Sequence, residues 1–411
     1  MKACFRSTNI LLPKKDTQMY QWAVVACDQY TSQQDYWEKV QDIVANAPST
    51  YNLIFPEVYL GKDEQRISNV HHAMKTYLDH QILQETIQDG FVLVERETES
   101  GKRLGLVGVI DLEDYDFTPG SHAFIRATEG TIQSRIPPRL KIREGASIEL
   151  PHVMVLIDDP QQQLIEKIYQ QKDSLTLLYD TDLMLKGGHI KGYGIEGKLA
   201  QETNQLLVQL QQKSNGFFLA VGDGNHSLAT AKAYWENIKK DISTLEQEQH
   251  PARYAMVELV NLHSPALIFE PIHRILFHVD VNDFINAFKE DLTKNHIGYQ
   301  DGDEVIIMDS HQEIGFAFIH EDDRLPVDIL QRFIDDYLLN NPNVTVDYVH
   351  GDDALESIGK QEGNCGIRLG AIDKNSLFPA IQAGGVLPRK TFSMGEAHEK
   401  RYYMECRKII K

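Results

Sequence analysis

One stretch of the chain combines residue types suited to chemistry with the spacing to use them. Phe217-Phe218-Leu219-Ala220-Val221 is apolar and is followed by Gly222-Asp223-Gly224-Asn225-His226-Ser227. The pattern predicts a strand, an acidic glycine turn and a helix whose buried face carries Leu228, Ala231, Tyr234 and Trp235. Backbone N–H groups at a helix start favour an anion, and Gly224 lets it approach closely. Asn225 and Ser227 add polar contacts for phosphate. Asp223 is useful beside an anion if it holds Mg²⁺ against a phosphate or accepts a proton from an attacking hydroxyl. His226 can bond phosphate, act as acid or base near neutrality, or stabilise transferring charge. A plain capped turn, with Asp223 satisfying loop amides, explains the same residues. No GKS or GKT follows the glycine, so this is not a P-loop.

Other clusters could supply cations. Arg126, Arg135, Arg139, Lys141 and Arg143 lie together with only Glu129 opposing them, and Gly130 and Thr131 adjoin that glutamate. Guanidinium forks bind phosphate and carboxylate bidentately. Pro137-Pro138 starts a short helix that places Arg139 and Arg143 one turn apart. A solvated surface paired with nearby acids is the alternative. Glu270-Pro271-Ile272-His273-Arg274 follows an apolar strand, where His273 and Arg274 could face a ligand or form a structural salt bridge. Pro388-Arg389-Lys390-Thr391 offers cations and hydroxyls on an extended loop. Lys186 to Gly194 could close over phosphates as a lid or be a hairpin. Asp28 and Tyr30 could enter a site, although capping the next helix accounts for Asp28. Asp158-Asp159-Pro160 reads as a helix start, with Asp159 as cap, rather than a metal site.

Positioning these groups takes a large scaffold. The chain has 411 residues, more than one hydrophobic core usually spans. Helices are expected at 33–46, 64–88, 196–213 and 326–339. Strands are expected at 91–96, 104–111, 150–157, 254–260 and 266–270, with a hairpin at 304–319. The fold class is α/β (α+β mixed). Three regions are expected: 1–150 with the arginine cluster, 151–277 with the Asp223 turn, and 278–411, with one compact unit as the alternative.

Composition narrows the partners. Lys and Arg total 41 against 60 Asp and Glu, a formal charge of −19. Such a surface disfavours nucleic acid and anionic membranes. No apolar run could cross a bilayer, and the N-terminus lacks the apolar stretch of a secretion signal. Cys4, Cys27, Cys365 and Cys406 form no CxxC pair and read as reduced thiols of a cytoplasmic protein. The expected ligand is a small anionic metabolite, and the oligomeric state is left open.

The ordered set of motifs resembles the bacterial family catalogued as domain-of-unknown-function family 1015. Its hallmark is a strand followed by Asp-Gly-His-His-Arg and an alanine-rich helix. Here Asp223, Gly224, Asn225, His226 and Ser227 stand at those places, with Ala229 and Ala231 after them. Gly108, Asp114 and Tyr115 precede Glu129, Gly130, Thr131 and Arg135, as in the family. Pro271, His273 and Arg274 match its Pro-x-His-Arg. Pro388, Lys390, Thr391 and Phe392 resemble its late motif. Two departures mark a divergent member: Asn225 and Ser227 replace the family His and Arg, and the tail from Gly395 to Tyr403 differs. If the missing Arg grips phosphate, Arg135, Arg139 or Arg274 must take over.

More distantly, the turn resembles the ParB/sulfiredoxin-like superfamily, which includes DNA-partitioning proteins and a free serine kinase. That resemblance implies a ParB/sulfiredoxin-like core with additional α/β subdomains. It also implies phosphoryl transfer between a nucleotide (ATP or ADP, with Mg²⁺) and serine or phosphoserine. Glu129, Thr131, Arg135, Arg139, His273, Arg274, Lys390 and Thr391 would then bind phosphate or substrate. A nucleotide-responsive regulatory protein and a phosphatase acting on the same substrate class remain open alternatives.

Overall fold

The structure, a computed structural model, describes residues 2–320 and 324–410. It is mixed α/β and divides into two compact units. The first comprises Met1–Ala127, Thr131–Leu267 and Gly395–Lys411, and the second Thr128–Gly130 with Ile268–Met394. This differs from the three regions expected. Residues on both sides of position 150 share one sheet, and the second unit begins at Ile268 rather than at 278.

The sheet of the first unit runs Thr176–Leu183, Gly188–Ile195, Leu83–Thr98, Gly101–Asp111, Tyr254–Asn261, Met154–Ile157, Leu219–Asp223, Ile125–Ala127 and Tyr115–Asp116. Successive strand residues point to opposite faces. Val92, Val94, Val107 and Val109 accordingly enter one apolar cluster. Phe91, Leu93, Leu106 and Ile110 enter another. Both faces are therefore packed, which explains why the central strands read as continuous apolar runs. Leu219–Asp223 pairs parallel with Ile125–Ala127 and antiparallel with Met154–Ile157.

The tail returns to this unit. Tyr402–Tyr403 pairs with Val24–Val25, and Arg407–Lys408 pairs with Ile148–Glu149. Arg401 is buried and ion-paired to Glu258, and to Glu405 at 2.5 Å.

In the second unit the strand order is Glu313–Ile319, Gly298–Met308, Asn364–Leu369, Phe269–Phe277 and Thr345–His350, with Phe392–Met394 also pairing to Phe269–Phe277. The helices Val281–Lys294 and Pro326–Asn340 supply aromatic packing. Phe288 meets the Phe316 ring at 5.3 Å, and Phe284 meets Phe333 at 5.2 Å.

Several expectations need correction. The helix expected over 64–88 ends at Asp79, and a strand begins at Leu83. Gln81 has φ +53°, which stops the helix, and the polar run from Gln84 to Thr86 is the exposed part of a strand rather than a helix face. The strand expected from 150 starts at Met154, because Ile148–Glu149 pairs separately with the tail. Asp159 is not the helix cap: it accepts the N–H groups of Gln163 at 2.7 Å and Leu164 at 3.0 Å in the turn before the helix. The helix itself starts at Ile165, beyond Pro160.

The glycine-rich stretch forms no lid. Gly188–Ile195 lies inside the sheet, and a Cβ on Gly192 would fall 2.1 Å from the Tyr179 ring. Packing explains that glycine. His273 and Arg274 lie within Phe269–Phe277, not past the end of a strand.

Candidate functional site

Gly224 makes the Asp223 turn possible. It adopts φ +81° at the start of the helix Asn225–Ile238. A Cβ there would stand 3.0 Å from Cγ2 and 3.1 Å from Cα of Val153. Backbone angle and space therefore both require glycine. Among the described residues no side chain caps this helix, so its first N–H groups are available to a ligand. Leu228, Ala231 and Trp235 are buried below, as their spacing predicts, and Tyr234 is half-buried.

Around the turn, Asp223 uses both carboxylate oxygens. Oδ1 accepts the Gly224 N–H at 2.9 Å, and Oδ2 stands 3.2 Å from Nζ of Lys400. His226 Nε2 accepts the backbone N–H of Ile132 at 3.2 Å. Burial pushes the His226 pKa down to about 4, helped by Arg135 and Arg139 and opposed by Asp28. The imidazole is therefore neutral at pH 7, with its proton on Nδ1. Its titration lies below the neutral range that its residue type suggests.

Two buried oxygens near this histidine have no hydrogen-bond partner: Oδ1 of Asn225, the preceding residue, and Oγ1 of Thr131, which precedes Ile132. Leaving a buried polar atom unmade costs about 1–3 kcal/mol. Such atoms mark places where a ligand or water completes the structure.

The cation cluster divides by partner. Arg126 lies 4.5 Å over the Phe217 ring and donates to the carbonyl of Ala123. Arg143 is paired with Glu149 at 2.6 Å. Lys141 is exposed. Arg139 donates from Nε to Glu57 at 2.9 Å and from a terminal nitrogen to the Arg135 carbonyl at 2.7 Å. Arg135 is exposed and makes no ion pair among the described residues. Of these cations, Arg135 and Arg139 act on His226. Ser227 is half-buried beside it on the first helical turn.

The remaining expected site residues belong to the second unit. Thr128 accepts the Leu387 N–H at 2.7 Å, and Glu129 bridges to Leu387. His273 is buried, accepts the Leu369 N–H at 3.2 Å and faces Asp352 at 3.3 Å. Burial lowers its pKa against the pull of Asp352. Arg274 is wholly buried, donates to Gln331 at 3.1 Å and to the Ile272 carbonyl, and keeps one terminal nitrogen unpartnered. Burial lowers its pKa to about 10, opposed by Tyr348, Glu129 and Asp335. Thr391 is buried and donates to the Pro388 carbonyl at 2.6 Å, and Lys390 is exposed with φ +60°.

Asp28, weighed from the sequence as a site residue or a helix cap, acts near the turn, and His152, Tyr403 and Lys400 join it unexpected. Asp28 does not cap the following helix, which starts at Gln34 with Gln33 before it. It acts on both His226 and Glu57. The Glu57 pKa is raised by burial, opposed by Arg139 and reinforced by Asp28. Tyr403 OH meets Nδ1 of His152 at 2.9 Å and accepts the Cys27 N–H at 3.1 Å. His152 precedes Val153, which packs against Gly224. Lys400, His152 and Tyr403 carried no motif. The apolar run ending in Cys27-Asp28 was the one usable signal.

Among the described residues, no group of three or more His, Cys, Asp or Glu side chains is placed to hold one metal ion. Among the described residues, no helix is long and apolar enough to cross a membrane.

Fold and site define a mixed α/β protein built around a strand, a left-handed glycine and a helix start. The chain belongs to the family described as "Protein of unknown function (DUF1015)", whose model matches residues 8–337. No curated protein matches. Solved structures with some similarity include a free serine kinase in complex with AMP, at 11% identity and TM-score 0.37, covering 72% of this chain and 90% of that one. A conserved hypothetical protein from Pyrococcus furiosus matches at 10% identity and TM-score 0.33, with the same coverage of 72% and 90%. SbnI with C-terminal truncation from Staphylococcus aureus matches at 8% and 0.35, covering 70% and 83%. Scores this low carry no functional argument.

Proposed function

We propose that this protein is a phosphoryl-transfer enzyme, moving a phosphoryl group between a nucleotide and a small hydroxy amino acid such as serine or phosphoserine. One observation carries the reading. Asn225 precedes His226, and Thr131 precedes Ile132, whose N–H bonds the neutral imidazole. Asn225 and Thr131 each keep a buried oxygen without a partner among the described residues, and His226 lies at an uncapped helix start within the field of Arg135 and Arg139. An anion there would meet backbone N–H groups, a ring donor at His226 Nδ1 and the free Arg135 guanidinium. The oxygens then face the ligand's own donors or water.

The roles follow from the contacts. Gly224 and the first helical N–H groups hold phosphate, with Asn225 and Ser227 beside them. Arg135 clamps phosphate or the substrate carboxylate, and Arg139, held by Glu57, adds positive field. Asp223 accepts the proton of the attacking hydroxyl or orients it. Mg²⁺ commonly binds through one or two carboxylates plus phosphate oxygens. Asp223 fits as such a ligand for an ion arriving with the nucleotide, and that ion would neutralise phosphate charge. The substrate class comes from the distant resemblance of the turn to the ParB/sulfiredoxin-like superfamily. Glu129, His273, Arg274, Lys390 and Thr391 stay as candidate anion contacts within the second unit itself.

The test is turnover of serine with ATP, and of phosphoserine with ADP. Asp223→Asn is expected to lower turnover by roughly 10²–10⁴-fold while ligand affinity changes far less. Loss of phosphate from phosphoserine without ADP would instead assign a phosphatase. Unchanged turnover in Asp223→Asn would remove the role given to Asp223.

A further inference from the structure

The turn from Gly222 to Ser227 contains no Lys or Arg of its own. The structure supplies one from an unrelated part of the sequence. Nζ of Lys400 lies 3.2 Å from Asp223 Oδ2, and its side chain is only 12% exposed. An ammonium has three donors. Asp223 is the one side-chain partner seen for it among the described residues.

Lys400 is held from both sides. Glu399 before it accepts the backbone N–H of Ser100 at 2.8 Å and the Ser100 hydroxyl at 2.9 Å. Arg401 after it is ion-paired to Glu258 and Glu405, and its Nε donates to the Pro151 carbonyl at 2.9 Å. The same strap fixes the loop that carries Asp28. The Arg401 carbonyl accepts the Ala26 N–H at 2.8 Å, and Tyr403 accepts the Cys27 N–H at 3.1 Å. The strap itself, Glu399 to Tyr403, lies beyond residue 337, where the family match ends, while its partners Ser100, Glu258 and Cys27 lie within the match.

We infer that Lys400 is the phosphate-gripping cation of the Asp223 turn, delivered by the C-terminal strap. The inference rests on the proposed anion site. A carboxylate beside an incoming phosphate repels it. An ammonium already on that carboxylate cancels the repulsion and has donors to spare for a phosphate oxygen. Rigid flanks keep it in place at little entropic cost.

Calorimetric titration with ADP tests this on the full chain and on Lys400→Gln, Lys400→Arg and Lys198→Gln, the last an exposed lysine on the helix Gly197–Lys213. Lys400→Gln should weaken ADP binding by roughly 10- to 100-fold. Lys400→Arg should restore most of it, and Lys198→Gln should match the original chain. Equal affinity in Lys400→Gln and the original chain would overturn the inference while leaving the site intact. No ADP binding by the original chain would remove the proposed site, and this inference with it. If Lys400→Gln fails to fold, the original chain labelled with ¹⁵N-lysine decides. A shift of the Lys400 side-chain resonance on adding ADP supports the inference, and its absence overturns it.

Discussion

The backbone N–H of Ile132 donates to Nε2 of His226 at 3.2 Å. That bond fixes the tautomer, leaving Nδ1 as the proton-bearing nitrogen and keeping the ring neutral. With Arg135 and Arg139 nearby, the ring gains nothing from a second proton until an anion arrives.

The His226 pKa should therefore respond to ligand. Without ligand it lies at about 4, and a bound phosphate should raise it by offsetting the two arginines. Imidazole NMR titration with and without inorganic phosphate reads both values. A free value near 6.5, or no rise with phosphate, contradicts this electrostatic account.

The same shift makes stability depend on pH. Unfolded His226 takes up its proton near 6.5, whereas the folded residue does so only near 4. Between these values the unfolded chain binds more protons, so stability falls as pH falls through that window. His226→Asn should flatten the melting-temperature profile between pH 6.5 and 4. An unchanged slope would mean that other groups set it.

Gly224→Ala should be costly at a single methyl. The left-handed angle alone is worth about 1–2 kcal/mol, and contact with Val153 adds to it. Urea denaturation should show at least that loss, together with weaker anion binding. A stability loss below about 0.5 kcal/mol would show that the turn relaxes freely.

Arg401→Met should destabilise the first unit through its charges. It leaves Glu258 and Glu405 buried without their guanidinium, and breaking a buried pair from one side typically costs about 3–5 kcal/mol. Arg401 holds the Glu258 pKa below its usual value against the effect of burial. The stability from that pairing is present above the ordinary glutamate pKa and is lost on acidification. Chemical denaturation at pH 7 and pH 4 should show the variant's deficit shrinking at the lower pH. A deficit that grows there would refute the charge argument.

Local pattern revealed the Asp223 turn because its determinants are local: an apolar strand, a glycine and an apolar helix face within about twenty residues. The helices Gln34–Val44, Gly197–Lys213 and Pro326–Asn340 were legible for the same reason. Ion-pair partners were not. Arg139 reaches Glu57 and Lys400 reaches Asp223 across the sequence. Chain distance conceals such pairs, so a five-cation cluster looked uniform when its members serve different ends. The lid reading failed because glycine marks close packing as readily as flexibility, and at Gly192 the Tyr179 ring decides it. Leu83–Thr98 was misread at its start because its exposed face is as polar as that of a helix.

The central claim, that the turn at Gly224 cradles an anion under Arg135, is tested most directly by titrating ADP into the full chain and into Arg135→Ala. The account predicts saturable binding that weakens by roughly tenfold or more in the variant. Identical affinities, or no heat in either titration, would contradict it.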